Sequence, residues 1–485
     1  MTGSRGILAL GAHLPHRRLD RTTIAAVAGG GGGKGTRAVA GYDEDATTLA
    51  VEAARSVLRG TPVVPAALWF ATTTPTYADK TNATAVHAAL RLPGTALAAD
   101  MAGAARSSIA ALVAALAGGG PTLVVTGDVR PGLPGSADEA AGADASAAVL
   151  VGEGTDDAPV LAELVGRASR TEELLDRWRT PGDARTRQWE ERFGEKRYVP
   201  LGTAAFAAAL ADAGLEPGDV TRVVTASPHG RAAKAVVRGL GVGSEAPGDD
   251  LAATVGNPGA TQPLLLLASA LEAAAPGDVV VLLSLADGAD ALVFRATDAV
   301  ASWTPARPVA DQVAAGAPLP YPTYLRWRGH LATEPPRRPE PARPSAAAAG
   351  RSSDWKFGFV GSEDRSSGAV HMPPARAAMH GGAIDDMEAR PMADAAGTVV
   401  TSTIDRLAYS PSPPIVFAVV DFDGGGRLPV ELTDCDADEI GIGVRVEMTF
   451  RRLFTADGIA NYFWKARPLR AADGSVVTTT TEKAS

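Results

Sequence analysis

The chain has 485 residues, of which 46% are hydrophobic and 21% charged, with a formal net charge of −9. That length exceeds what one core usually holds and predicts two or three domains, while the acidic balance excludes a general nucleic-acid binder, which needs clustered cationic residues. The single cysteine, Cys435, excludes an internal disulfide and leaves no set of zinc ligands at finger spacing.

In chain order, "GILALGAHLP" is too short and too weakly charged at its start for a secretory signal, and no stretch approaches eighteen uninterrupted apolar residues. The expectation is a protein free in the cytoplasm, with no membrane span. "GGGGGKGT" lacks the Ser or Thr that must directly follow the lysine of a phosphate loop, and reads as a surface loop. Asp43, Glu44 and Asp45 precede a helical run and are expected as capping carboxylates rather than as a catalytic pair. The segments "TLAVEAARSVL", "ATAVHAALRL" and "SSIAALVAALAGG" read as helices, alternating with the strands "AALWFATTT", "TALAAD" and "TLVVTGD". This alternation predicts a mostly parallel sheet covered by helices.

The same order returns in "GTAAFAAALADAGL", "VTRVVTASPHG", "AAKAVVRGLGV", "GATQPLLLLASALEAAAPGD", "VVVLLSLADG" and "DALVF", which amounts to an internal repeat. Between the copies, an arginine-rich stretch around "DRWRTPGD" reads as an insertion over the surface. The expected divisions are 1–165 and 166–300 for the two α/β halves, and 301–354 for a helix followed by a proline-rich linker. After Trp355 short alternating runs separated by Gly, Pro and Asp turns predict five strands of a small closed barrel of the OB type.

His229 follows a strand of the second half, where ligands of α/β sheets gather; a catalytic residue and an exposed turn histidine are both open readings. Asn257, in "VGNPGATQP", is a candidate amide donor to a carbonyl oxygen, or an ordinary turn residue.

"RGILALGAHLPHRRLDRTTI", "DKTNATAVHAAL", "DRWRTPGD…WEERFG" and "SLADGADALVF" resemble the 3-hydroxy-3-methylglutaryl-CoA synthase branch of the thiolase superfamily, over about residues 4 to 298. "PYPTYLRWRGHL", "DWKFGFVGS", "DRLAYSPSPP", "DFDGGGRLPVELTD" and "NYFWKARP" resemble an acyl-CoA-associated OB-fold family that often carries a zinc ribbon before its barrel. The resemblance implies an α/β thiolase-like fold of two repeated halves, then a ribbon-like segment over 355–390 and an OB-fold domain over 391–485. It also implies that the family's nucleophilic cysteine would fall at Ala105, its general-acid glutamate near Thr73 and its histidine near Ala226, leaving only Asn257 as a match. The ribbon cysteines would fall at Asp364, Ser367, Ala378 and Gly381, so no zinc is expected; His371, His380 and Asp385 lie nearby.

Covalent acyl transfer needs an activated thiolate, so the expectation is a non-covalent enzyme that forms or cleaves a C–C bond beside an acyl-CoA or acyl-carrier thioester, with no cofactor beyond that substrate. Tyr77, His229 and Asn257 are its candidate catalytic residues, and Asp79, Asp100, Arg106 and Ser107 line its expected substrate site; Asp100 has the alternative of capping the helix that follows it. Two other readings stand beside this one: a catalytically degenerate acyl-CoA-binding or scaffold subunit, and an acyltransferase using Ser107 or Ser108. Thiolase-like proteins also imply a homodimer, and a separate partner enzyme would fit the fused OB domain.

Overall fold

The computed structural model describes residues 4–334, 338–379, 384–471 and 474–479, and the chain divides into two compact units. The first comprises residues 1–40, 45–84 and 92–324; the second comprises residues 41–44, 85–91 and 325–485.

In the first unit, β1 (Arg5–His13), α1 (Ala46–Leu58), β2 (Ala67–Thr72), α2 (Ala83–Ala89), β3 (Leu97–Ala102), α3 (Ser107–Ala117), β4 (Thr122–Val129) and β5 (Asp144–Glu153) form one half. The other half runs β6 (Ala162–Thr171), α4 (Glu191–Ala213), β7 (Arg222–Ala226), α5 (Gly230–Arg238), α6 (Gln262–Glu272), β8 (Val279–Leu285) and β9 (Gly288–Ala296). One nine-stranded sheet in the order β7-β8-β9-β6-β1-β5-β4-β2-β3 carries both. The pairings β2/β4, β4/β5 and β5/β1 are parallel, antiparallel and antiparallel, and β7/β8, β8/β9 and β9/β6 repeat that order. The internal repeat is therefore present in the hydrogen bonding itself. The place of β3 in the second copy is held by a single parallel bridge between Val223 and Pro247.

The expectation of a mostly parallel sheet is corrected: β1, β5, β6 and β9 run antiparallel to their neighbours, and the two halves join through antiparallel β1 and β6.

Alternation along the strands explains the layering. Val280 and Leu282 of β8 enter one apolar cluster with Ile109 and Leu112 of α3 and Leu264–Leu267 of α6; Val279, Val281 and Leu283 face the other way, into a cluster with Phe206 and Leu210 of α4. Helices α3 and α6 thus share one core, while α4 covers the opposite face of its half. Helix α1 begins at a capping box in which the Asp45 side chain accepts from the Thr48 N–H and the Thr48 hydroxyl accepts from the Asp45 N–H.

Asp45 is the only one of the three acidic residues seen capping this helix. Asp43 and Glu44 belong to the second unit, where they form ion pairs with Arg451 at 3.3 and 2.9 Å, and Asp43 pairs with Lys465 at 3.0 Å. All four side chains are buried, and Asp434 and Glu431 complete the cluster. Two buried cations explain the acidic run that sequence reading assigned to capping.

The expected linker is in part packed structure. Val309, Leu319, Tyr321 and Tyr324 are buried in the first unit, and the Tyr321 hydroxyl donates to the buried Glu139 carboxylate.

In the second unit β10 (Val360–Asp364), β11 (Val370–His371) and β12 (Met387–Pro391) make a small sheet. Then β13 (Ala396–Asp405), β14 (Ile415–Phe422), β15 (Arg427–Leu432), β16 (Arg445–Ala456) and β17 (Ile459–Pro468) close a five-stranded barrel, the five strands expected from the sequence. Phe359, Phe450 and Trp464 fill the barrel's aromatic core.

At the first ribbon position the Asp364 carboxylate accepts from the Ser366 hydroxyl and from the Ser367 N–H and hydroxyl. Those donors, Ser367 foremost, hold its pKa below the usual carboxylate range. His371 Nε2 accepts from the Met379 N–H, and Asp385 pairs with Arg376. Among the described residues no group of three or more His, Cys, Asp or Glu side chains is placed to hold a metal ion; Gly381 and His380 lie outside them.

Candidate active site

The turn between β3 and α3 is Gly103-Ala104-Ala105-Arg106. Gly103 has φ of 117°, a conformation that side chains resist, so the chain can leave the sheet sharply and start the helix. Ala104 and Ala105 line a cavity of about 630 Å3 in the first unit. Its wall also contains Thr73 and Thr74 after β2, Arg130 after β4, Asp176 to Asp183 of the inserted segment, Tyr198 of α4 and Asp287 between β8 and β9. Loops from both copies of the repeat therefore converge on one space, at the carboxyl ends of parallel strands.

The inserted segment was expected to lie over the surface; instead Asp176, Trp178 and Arg179 wall the cavity. Asp176 is buried, and its Oδ1 lies 3.2 Å from Nε2 of His229. Its Oδ2 is buried and meets no hydrogen-bond donor among the described residues. His229 is 1% exposed, which removes the reading of an exposed turn residue. The histidine stands behind Asp176 rather than on the cavity wall, packed at 5.7 Å from the Tyr198 ring and directly against Gly194. Burial pushes the Tyr198 hydroxyl up to about 12, and it accepts from the Asp287 N–H. The Asp287 carboxyl is also raised, by burial that Arg106 only partly offsets.

Beneath Thr73 lies a second buried carboxylate. Asp128 accepts from the Thr73 and Ala260 N–H groups, both at 2.7 Å, and from the hydroxyls of Thr72, Thr73 and Thr74. It fixes the end of β2 to the loop before α6, a contact between the two halves.

The residues singled out from the sequence are only partly brought together. Thr73 and Ala105, where the resemblance would put the family's glutamate and cysteine, both line the cavity, whereas Ala226 is buried at the end of β7. Tyr77 and Asp79 are not among the described residues lining it. Asp100 caps α2, the helix before it in sequence, accepting from the N–H groups of Asn82 and Ala83, and not the helix that follows. Arg106 is held by both carboxylate oxygens of Asp290 and by the Asp287 carbonyl. The Asn257 amide donates to the Ser227 carbonyl and to Gln262 Oε1, so both of its hydrogens are committed within the protein and none remains for a substrate carbonyl. Ser107 Oγ accepts from the Ala104 N–H, and Ser108 is buried with its hydroxyl on the Ala105 carbonyl.

Sequence reading missed Asp128, Arg130, Asp176, Arg179, Tyr198 and Asp287. A strand ending "VVTGDVR" and the "DRWR" cluster were the available signals, but nothing in them says that they meet.

Comparison with known proteins agrees with this architecture. Residues 389–451 match the family model of the ChsH2 C-terminal OB-fold domain. The hydroxymethylglutaryl-CoA synthase of Aeropyrum pernix is 30% identical over 68% of this chain and 95% of its own, and that of Thermococcus sibiricus is 30% identical over 67% and 96%. A crystal structure of HMG-CoA synthase complexed with CoA superposes with a TM-score of 0.57 at 18% identity, covering 67% of this chain and 90% of that one. The β-ketoacyl-[acyl carrier protein] synthase III of Thermus thermophilus superposes with a TM-score of 0.52 at 24% identity, covering 62% and 99%. Among the described residues no helix is long and apolar enough to cross a membrane. With two repeated α/β halves preceding an OB-fold barrel, the chain belongs to the hydroxymethylglutaryl-CoA synthase family of the thiolase superfamily.

Proposed function

We propose that the cavity binds an acyl-CoA thioester and makes or breaks a carbon–carbon bond in the manner of an aldolase, without an acyl-enzyme. The observation that carries this reading is the Gly103-Ala104-Ala105 turn in the cavity wall: it has the placement of a nucleophile turn and no nucleophile, while the chain's one cysteine lies in the second unit. The names of the curated relatives supply the CoA thioester.

The residues present support a simple proton path. In the cleavage direction Asp176, a residue of the cavity wall whose buried Oδ2 meets no donor among the described residues, turns its carboxylate to the ligand and takes the proton of a β-hydroxyl. The former O–H pair becomes the new C=O as the Cα–Cβ bond breaks, and the Cα–Cβ pair moves onto the thioester as an enolate. The Ala105 N–H, which donates to no acceptor among the described residues, stands at the head of α3 to meet the enolate oxygen. Asp176 then returns its proton to Cα, so no atom or electron is left over; condensation is the reverse. His229 holds Asp176 in place through Oδ1.

The test is incubation of the full chain with acetyl-, acetoacetyl-, branched and 3-hydroxyacyl-CoAs, followed by mass analysis of protein and products. Cleaved or condensed CoA products with unmodified protein are expected. A stable mass gain on the protein would overturn the reading and point to Ser107 or Ser108; binding without any product would leave the ligand-holding role.

A further inference from the structure

Four arginines stand in or beside the cavity, and they are not alike. Arg106 forms a two-pronged ion pair with Asp290, and Arg177 pairs with Asp138 at 2.7 Å. Arg130 and Arg179 have no carboxylate partner among the described residues, although both are half-buried. Their contacts go instead to one neutral residue: Arg130 Nη1 donates to the Thr73 hydroxyl at 2.7 Å, and Arg179 donates to the Thr73 carbonyl. The Asp128 carboxylate, which accepts from the same Thr73 hydroxyl that Arg130 donates to, is already engaged by five donors.

Half-burying two guanidiniums without a direct ion pair is costly, and their mutual repulsion adds to it. The pKa of Arg130 is lowered by burial and by Arg177 and Arg179, with Asp128 and Asp138 opposing. Arg130 and Arg179 both line the cavity that Thr73 and Ala105 line. The head of α3, reached through the lining residues Ala104 and Ala105, adds the positive end of an eleven-residue helix.

We propose that Arg130 and Arg179 form an anion subsite inside the cavity, and that the acyl group accepted here ends in a carboxylate. This deepens the acyl-CoA reading, on which it rests for the rest of the ligand. A planar carboxylate matches the fork of a guanidinium and would give both arginines the partner that the fold withholds. Asp176 and Asp287 belong to the same wall and act electrostatically on Tyr198, so the cavity residues carry both signs, cationic beside Thr73 and acidic beside Tyr198.

The experiment is calorimetric titration of the full chain with succinyl-CoA and butyryl-CoA, a pair that differs in a terminal carboxylate, and with glutarate and inorganic phosphate alone. Succinyl-CoA is expected to bind at least about tenfold more tightly than butyryl-CoA, as one charge-assisted contact allows. Arg130→Gln and Arg179→Gln should each lower the ratio of the two affinities toward one, with the parent's ratio as the reference. Equal affinity for the two thioesters would overturn the subsite and leave the acyl-CoA reading standing. Glutarate binding that the two variants weaken, with no binding of either thioester, would uphold the subsite and sink the CoA reading. Phosphate binding with the same dependence on both arginines, and none of glutarate, would overturn the assignment to a carboxylate.

Discussion

Asp128 offers the most direct test of how the two halves are held in register at the cavity. Its Oδ1 accepts from the Thr73 N–H and the Thr72 and Thr74 hydroxyls, and its Oδ2 accepts from the Ala260 N–H and the Thr73 hydroxyl. In Asp128→Asn one of those oxygens becomes an NH2 group, and either orientation of the amide sets it against a buried backbone N–H: that of Ala260 or that of Thr73. The hydroxyls can rotate to new acceptors, but the N–H cannot. One buried N–H left without an acceptor, together with loss of the charge-assisted strength of the others, amounts to about 2–4 kcal/mol. Asp128→Ala strands both N–H groups and should cost about 2–6 kcal/mol. Urea unfolding of the full chain measures the cost. Hydrogen exchange should place it, with faster exchange in peptides covering Thr73 and Ala260 and little change in the barrel. An Asp128→Asn variant within about 0.5 kcal/mol of the parent, below the cost of a single lost buried hydrogen bond, would refute the claim that this carboxylate ties the halves together.

Gly194→Ala puts a methyl carbon 2.5 Å from His229 Nε2, so the ring must leave Asp176; turnover of CoA esters should fall by about tenfold or more, and unchanged turnover would remove the His229–Asp176 contact from the proton path. Lys465→Met leaves Asp43 and Glu431 buried without their shared cation. A loss of about 3–5 kcal/mol in urea unfolding is expected, and a neutral effect would show that Arg451 alone satisfies the cluster. Burial pushes the Glu272 carboxyl from 4.5 up to about 7, with its Oε1 facing no donor. The folded protein therefore keeps a proton that the unfolded chain has released: its contribution to stability is complete below about pH 4.5 and is lost as pH rises to 7. Glu272→Gln should flatten that part of the stability profile, which thermal melts at pH 5 and pH 7 would show.

The helices of both halves were legible because alanine-rich runs with glycine stops have few competing readings, and the five barrel strands because period-two alternation survives between clear turns. Strands β1, β5 and β6 were harder. "GILALGAH" is apolar without alternation and "DASAAVLVGE" is rich in small residues, since β1 and most of β5 are buried on both faces; a parallel sheet was inferred because three of the four strands that make it antiparallel, all but β9, were missed. In the candidate site, local sequence exposed the alanine turn, whose meaning lies within a few residues. It could not expose Arg130 beside Arg179, or Asp176 beside His229, because those contacts join segments 49 and 53 residues apart through the packing of the insertion. Asp43 and Glu44 failed for the same reason: their cations lie some four hundred residues away, at Arg451 and Lys465.

An alanine at position 105, where the resemblance would put a thiol, can be read as decay, but the cavity around it does not have the character of a decayed site. A core that has lost its ligand gains stability by closing, because voids forfeit dispersion contacts and unpaired polar groups cost free energy. Here the space remains at about 630 Å3, and among the described residues its wall residues keep a carboxylate oxygen without a donor on Asp176 and two guanidiniums without a direct ion pair on Arg130 and Arg179. Each of these would be cheaper as an apolar residue. All three belong to residues of the same cavity wall, and they include both signs of charge. Groups left unsatisfied by the protein, of complementary sign and on one space, are what a polar ligand leaves in the structure that binds it.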